Sequence, residues 1–122
     1  MRRLTQQEMI EDPTPVPELE RFTGAAFSCV VNSGVASKAT SALIRLPDGS
    51  RGHWHRHSEG QLVHVVSGRG YVGRRNEEPL AIDEGDTIWI EPDEEHWHGS
   101  AEGVELAQLA VSFGAITWLE PS

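Results

Sequence analysis

Glycine and proline set the length of every element this chain can build. Twelve glycines and seven prolines fall within 122 residues, a breaker about every six positions. Helices of the usual ~11 residues find little uninterrupted sequence, whereas strands of about five residues fit between the breakers. From Phe22 onward the chain divides into such segments: FTGAAFSCVVN, ATSALIRLP, RGHWHRH, GQLVHVVSG, GYVGRR, EPLAIDEG, DTIWIEP, EHWHGSA and VELAQLAVSF. Each is closed by turn formers. Eight or nine strands at this spacing predict an all-β sandwich or barrel. YVGRR and LAID flank NEEP, which predicts a hairpin.

The segment before Phe22 differs. Residues 1–20 are polar, acidic and interrupted by Pro13, Pro15 and Pro17, which predicts an extended N-terminal arm with at most one helical turn at 6–11. Residues 21–122 form the single barrel domain, because a chain of this length supports one core and not two. A net charge of −9 and no run of more than two basic residues argue against a nucleic-acid partner. No stretch reaches the ~18 apolar residues of a membrane span, and no secretory apolar region follows Arg2 and Arg3, so a cytoplasmic location without membrane contact is expected. Cys29 stands alone among apolar neighbours, which excludes an internal disulfide and predicts an inert thiol.

Chemistry concentrates in HWHRH at 53–57, which holds three of the six histidines, and in HWH at 96–98. Side chains alternate along a strand, so His53, His55 and His57 share one face while Trp54 and Arg56 share the other. Several imidazoles on one face point to a transition metal, for which neutral imidazole is the commonest protein ligand. Two registers compete: His53 and His55 with Glu59, or His55 and His57 with Gln61. Gly49 and Gly68 lie where turns would bracket the second; Pro47 and Val66 occupy those positions in the first. His64 falls on the opposite face, at the outer sheet surface or a subunit interface, and His53 at the rim of the site.

With the second register, Gly49, His55, His57, Gln61 and Gly68 resemble the first motif of the cupin superfamily, with Gln in place of the usual Glu. Gly85 and His96 keep the spacing of the second motif, while Glu91, Asp93 and Ser100 replace its usual Pro, Gly and Asn. Within that superfamily the chain resembles small single-domain bacterial cupins of the manganese-dependent hydroxynitrile lyase type. RFTG at 21–24, GDTIWIEP at 85–92, EHWHG at 95–99 and TWLEP at 117–121 carry this likeness over nearly the whole domain.

The resemblance implies a jelly-roll cupin barrel that assembles as a homodimer or homotetramer and acts on a small-molecule substrate. It implies metal ligands His55, His57, Gln61 and His96, with manganese or iron as the usual occupant; nickel, zinc and cobalt also suit such donors. Four neutral ligands leave the charge of the ion uncompensated and make it a strong electrophile. His98, in parity with His96, is the candidate for proton transfer. Gln108 aligns with the histidine that assists proton transfer in the lyases; glutamine orients a ligand but takes no proton. Ala42, Ile44 and Trp89 are the expected pocket-lining residues. The leading function is therefore a Lewis-acidic lyase. A dioxygenase cleaving a diketone or catechol and a non-catalytic binding cupin are the alternatives.

Overall fold

The computed structural model describes residues 3–13, 21–34 and 38–122. The arm carries one short helix, α1 (Gln6–Glu11), begun by a capping box in which Thr5 Oγ1 accepts from the Glu8 N–H and the Glu8 carboxylate accepts from the Thr5 N–H. Arg45 reaches the carbonyl of Ile10 and ties this helix to the barrel. Pro15 and Pro17 lie outside the described residues. No helix among the described residues is long and apolar enough to cross a membrane.

Among the described residues the rest is strand, turn and short loop. The strands are β1 (Phe22–Thr23), β2 (Phe27–Gly34), β3 (Ala39–Leu46), β4 (Arg51–Gly52), β5 (His55–His57), β6 (Gln61–Ser67), β7 (Arg69–Arg74), β8 (Leu80–Asp83), β9 (Thr87–Ile90), β10 (His96–Ser100), β11 (Leu106–Phe113) and β12 (Ile116–Trp118). Five of them form one sheet in the order β2-β3-β11-β6-β9. The other seven form a second sheet around β10, which pairs with β7 on one side and with β4 and β5 on the other; β1, β12 and β8 complete it. The fold is thus the expected all-β barrel in one domain, and the hairpin predicted around NEEP is the β7–β8 pair.

The twelve strands outnumber the eight or nine expected because two segments break and because β12 lies beyond the last expected segment. RGHWHRH splits into β4 and β5: at residues 53 and 54 the backbone leaves the ladder, the His53 N–H donating to the Arg21 carbonyl and the Trp54 N–H to the Glu120 carbonyl. His53 therefore does not continue the alternation of His55 and His57. FTGAAFSCVVN likewise splits at residues 24–26.

Facing positions of the two sheets meet in a core of Leu46, Val63, Val65, Val72, Ile82, Ile90, Leu106 and Ala110. Full burial of one such branched side chain contributes roughly 1.5–3 kcal/mol, so this cluster dominates the stability of the barrel. Two turns fix where the functional strands begin and end. Gly68 has φ +80°, and a Cβ there would overlap the Glu105 carbonyl, so only glycine fits between β6 and β7. Asp93, standing where the related motif has glycine, adopts φ +61°, and its N–H donates to the His57 carbonyl at 2.8 Å. An aspartate tolerates this left-handed geometry better than most residues, so the turn survives the substitution.

Candidate metal centre

Pairing of β5 with β10 sets His96 directly opposite His55. Along each strand the side chains alternate, so His57 follows His55 inward and His98 follows His96. All four are buried, at 1–7% exposure. Their rings pack together, with centroids 4.2 Å apart for His55 and His96, 4.9 Å for His96 and His98, and 5.1 Å for His55 and His57. Gln61, the first residue of β6, enters from the opposite sheet, and its Oε1 lies 3.1 Å from Nε2 of both His96 and His98.

Backbone carbonyls fix two of the tautomers. His55 donates from Nδ1 to the His53 carbonyl at 2.9 Å, and His96 from Nδ1 to the Glu94 carbonyl at 2.8 Å. In a neutral ring the remaining nitrogen, Nε2, then carries a lone pair. The rings are neutral: burial and the neighbouring His96 hold His55 down to about 3 and His57 to about 4, and burial pushes His96 and His98 below the ordinary histidine value. The Gln61 amide is oriented as well, because its Nε2 donates to Ser112 Oγ at 3.0 Å and so turns Oε1 toward the imidazoles.

The lone pairs of His55, His96 and Gln61 thus converge with no proton between them, and the Nε2 of His57 is buried without a partner. Converging acceptors repel one another unless a cation lies among them, so the donor set fits a metal. The nitrogens of His55, His96 and His98 lie within 4.8 Å of one another, a buried three-histidine cluster able to hold an ion. His98 therefore stands closer to the centre than a supporting position would, while His57 is not in that tightest group.

A cavity of about 120 Å³ opens beside the cluster. His55, His57, His98 and Gln61 form its metal side; Gln108, Ile44, Leu46, Phe22, Ile116 and Trp118 form the rest of the wall with Ser112 and Gly52. No side chain in this lining carries a carboxylate, an ammonium or a guanidinium. Gln108, 1% exposed, is inward-facing on β11 between Ile44 and Val65, next to a bulge at Val66 on β6.

Other expected residues fall elsewhere. Ala42 is buried on the face of Ile44 but does not line the cavity. Trp89 lies outside it altogether: on β9 Ile90 takes the inward position, so Trp89 points outward, 47% exposed, over Phe113 and the Gly60 turn that precedes Gln61. His64 is on the outer face, bonded to Thr87. Ser112, Phe22, Ile116 and Trp118 were not foreseen. Trp118 arrives because β12 pairs with β5, Trp118 opposite His55, a long-range pairing with no local signal. The inward alternation of Gln108 and Ser112 was the one readable cue.

Residues 42–112 match the cupin domain family. The chain belongs to the cupins. Over 83 residues this cupin is 34% identical to the (R)-mandelonitrile lyase of Granulicella tundricola, an alignment covering 65% of the chain and 63% of that enzyme, so the match spans less than two thirds of the curated relative. Among solved structures it is similar to a cupin-like protein of Thermotoga maritima, with a TM-score of 0.84 and 26% identity over 90% of this chain and 87% of that one. An acetylacetone dioxygenase of Acinetobacter johnsonii shares the fold alone, with a TM-score of 0.72 and 13% identity over 98% and 77% of the two chains.

Proposed function

We propose that this cupin is a metal-dependent lyase that cleaves or forms a small neutral cyanohydrin, with manganese or iron held by His55, His57, Gln61 and His96 and with His98 beside them. The observation that carries the reading is the convergence of unprotonated imidazole nitrogens and one amide oxygen, with no carboxylate, on the wall of a small uncharged cavity. The 34% identity to a mandelonitrile lyase supports it.

When bound there, a divalent ion surrounded by neutral donors supplies a Lewis acid that stabilises an alkoxide oxygen. The protein's own groups supply the rest. Gln108, buried at the cavity wall, orients the hydroxyl of the substrate by accepting its hydrogen bond. For reaction the hydroxyl hydrogen turns from Gln108 to His98, whose Nδ1 is buried and without a partner and takes the proton as the carbon–carbon bond to the nitrile breaks. The same proton passes to the departing cyanide, so that hydrogen cyanide and a carbonyl compound leave. Because burial keeps His98 a weak base, it holds the proton only in transit. Ile44, Leu46 and Phe22 keep water from the bond being broken.

The test is release of benzaldehyde from mandelonitrile and of acetone from acetone cyanohydrin, with the protein metal-loaded and after chelation. Chelation is expected to abolish the rate and manganese or iron to restore it. A metal-loaded rate no greater than that of the chelated protein overturns the lyase reading, and oxygen uptake with a diketone in its place would assign a dioxygenase.

A further inference from the structure

Among the described residues four side chains bury a polar atom with no hydrogen-bond partner: His57 Nε2, His98 Nδ1, Gln108 Oε1 and Trp118 Nε1. All four residues line the cavity beside the histidine cluster. An unmade buried hydrogen bond costs about 1–3 kcal/mol, so four such groups around one cavity call for a bound partner there. In the reading above His57 serves the metal centre and His98 the proton transfer. Trp118 and Gln108 do neither, and they differ in kind: an indole N–H only donates, whereas an amide oxygen accepts.

Trp118 is held firmly for such a task. Its ring centroid lies 4.7 Å from that of His55 and 6.2 Å from that of Phe22, and the Arg21 guanidinium caps it at 5.2 Å. The strand that carries it is strapped down just beyond, where the Leu119 N–H donates to the Trp54 carbonyl at 2.7 Å and Arg75 pairs with Glu120. A donor fixed on a rigid ring gives up little conformational entropy on binding. Gln108 is fully buried in the opposite sheet, so the two residues line the cavity from its two walls.

We infer that Trp118 and Gln108 form a donor–acceptor pair selecting a small, neutral, aliphatic molecule with a hydroxyl group next to a carbonyl or nitrile. This rests on the reading above in taking the cavity as the substrate site. The hydroxyl donates to Gln108 Oε1, and the neighbouring carbonyl oxygen or nitrile nitrogen accepts from Trp118 Nε1. The absence of charged side chains in the lining favours an uncharged ligand. The size follows from the volume: about 120 Å³ compares with the roughly 150 Å³ of an engineered cavity that holds benzene, so an aryl cyanohydrin crowds the site where an aliphatic one fits.

Acetoin is a suitable probe because it has both groups and no cyanide to lose, and 2-butanone lacks only the hydroxyl. The full chain is loaded with diamagnetic zinc and its four tryptophans are labelled at the indole nitrogen. The Trp118 signal is identified by its absence from Trp118→Phe. Acetoin is expected to move that signal downfield and to bind roughly tenfold more tightly than 2-butanone. Trp118→Phe is expected to weaken acetoin by a similar factor. Gln108→Leu keeps the Trp118 signal as a check on folding and is expected to bind the two ketones equally. An unmoved Trp118 signal on acetoin binding, equal affinity of the wild-type protein for the two probes, or no acetoin binding up to its solubility overturns the inference. Cyanohydrin cleavage with an unmoved Trp118 signal would sink this inference and spare the lyase reading. A moving signal without cleavage would do the reverse.

Discussion

The short segment 53–57 serves two polar regions that are opposites. Inward, His55 and His57 join a buried cluster with no formal charge and several unused hydrogen-bonding atoms. Outward, Arg56 lies near Asp93 and Glu95, at 4.0 and 3.8 Å, while the Arg75 guanidinium sits 3.7 Å from the Trp54 ring and pairs with Glu95 and Glu120. The outer groups are charged, exposed and mutually satisfied; the inner groups are neutral, buried and left waiting. Exposed ion pairs add little stability because water screens them and long side chains resist being held. Buried unpartnered atoms subtract from stability. The outer network therefore closes the chain end over β5, and the inner one costs stability at the candidate site.

The largest test of this contrast removes a proposed inner ligand. Metal content measured on purified protein is expected to fall to background in His55→Ala and to stay at the wild-type level in His53→Ala, because His53 supplies only its backbone carbonyl to the centre. Metal loss in His53→Ala with retention in His55→Ala would reverse the assignment and move the site toward Glu59.

Acid gives the next largest effect. Burial holds His55 near 3, whereas in the unfolded chain it titrates at its ordinary 6.5. Between those values the unfolded chain binds the extra proton, so stability falls as pH drops through 6.5 toward 3. At about 1.4 kcal/mol per pH unit, His55 alone makes the metal-free protein ~2 kcal/mol less stable at pH 5 than at pH 7. His57, His96 and His98 act in the same direction. Denaturant titrations of metal-free protein at the two pH values check this; equal midpoints would mean that the four rings are not buried as neutral groups.

The smallest effect belongs to the outer region. Arg75→Ala is expected to lower the melting temperature slightly, by an amount that shrinks as salt is added, and to leave metal content unchanged. A loss of metal in this variant would show that the strap over β5 is needed to hold the ligands, and the two regions would no longer be independent.

The contrast also explains which features were legible in advance. Alternation within HRH and HWH displays the inward pairs, because a strand repeats every two residues whatever lies around it. Gln61 is equally plain from its spacing to Gly68, whose backbone approach to Glu105 admits no side chain. His53 misled because the strand breaks beside it, and the break is stabilised by carbonyls of Arg21 and Glu120 from opposite ends of the domain. Trp89 misled because its face is set by the pairing of β9 with β6, where Ile90 sits opposite Gln61 and Trp89 opposite Leu62. Aromatic character alone does not distinguish a cavity wall from an outer surface.

By itself the sequence determined the class of the fold, the strands that bear the inward histidines and the neutral character of those side chains, since these depend on breaker spacing, two-residue periodicity and residue type. Only the tertiary structure decided that His98 joins the tightest histidine cluster, that Ser112 turns the Gln61 amide toward it and that Trp118 walls the cavity. Each of those contacts joins residues from different strands. Local sequence does not record such contacts, because which strands become neighbours is settled by the burial of the whole core.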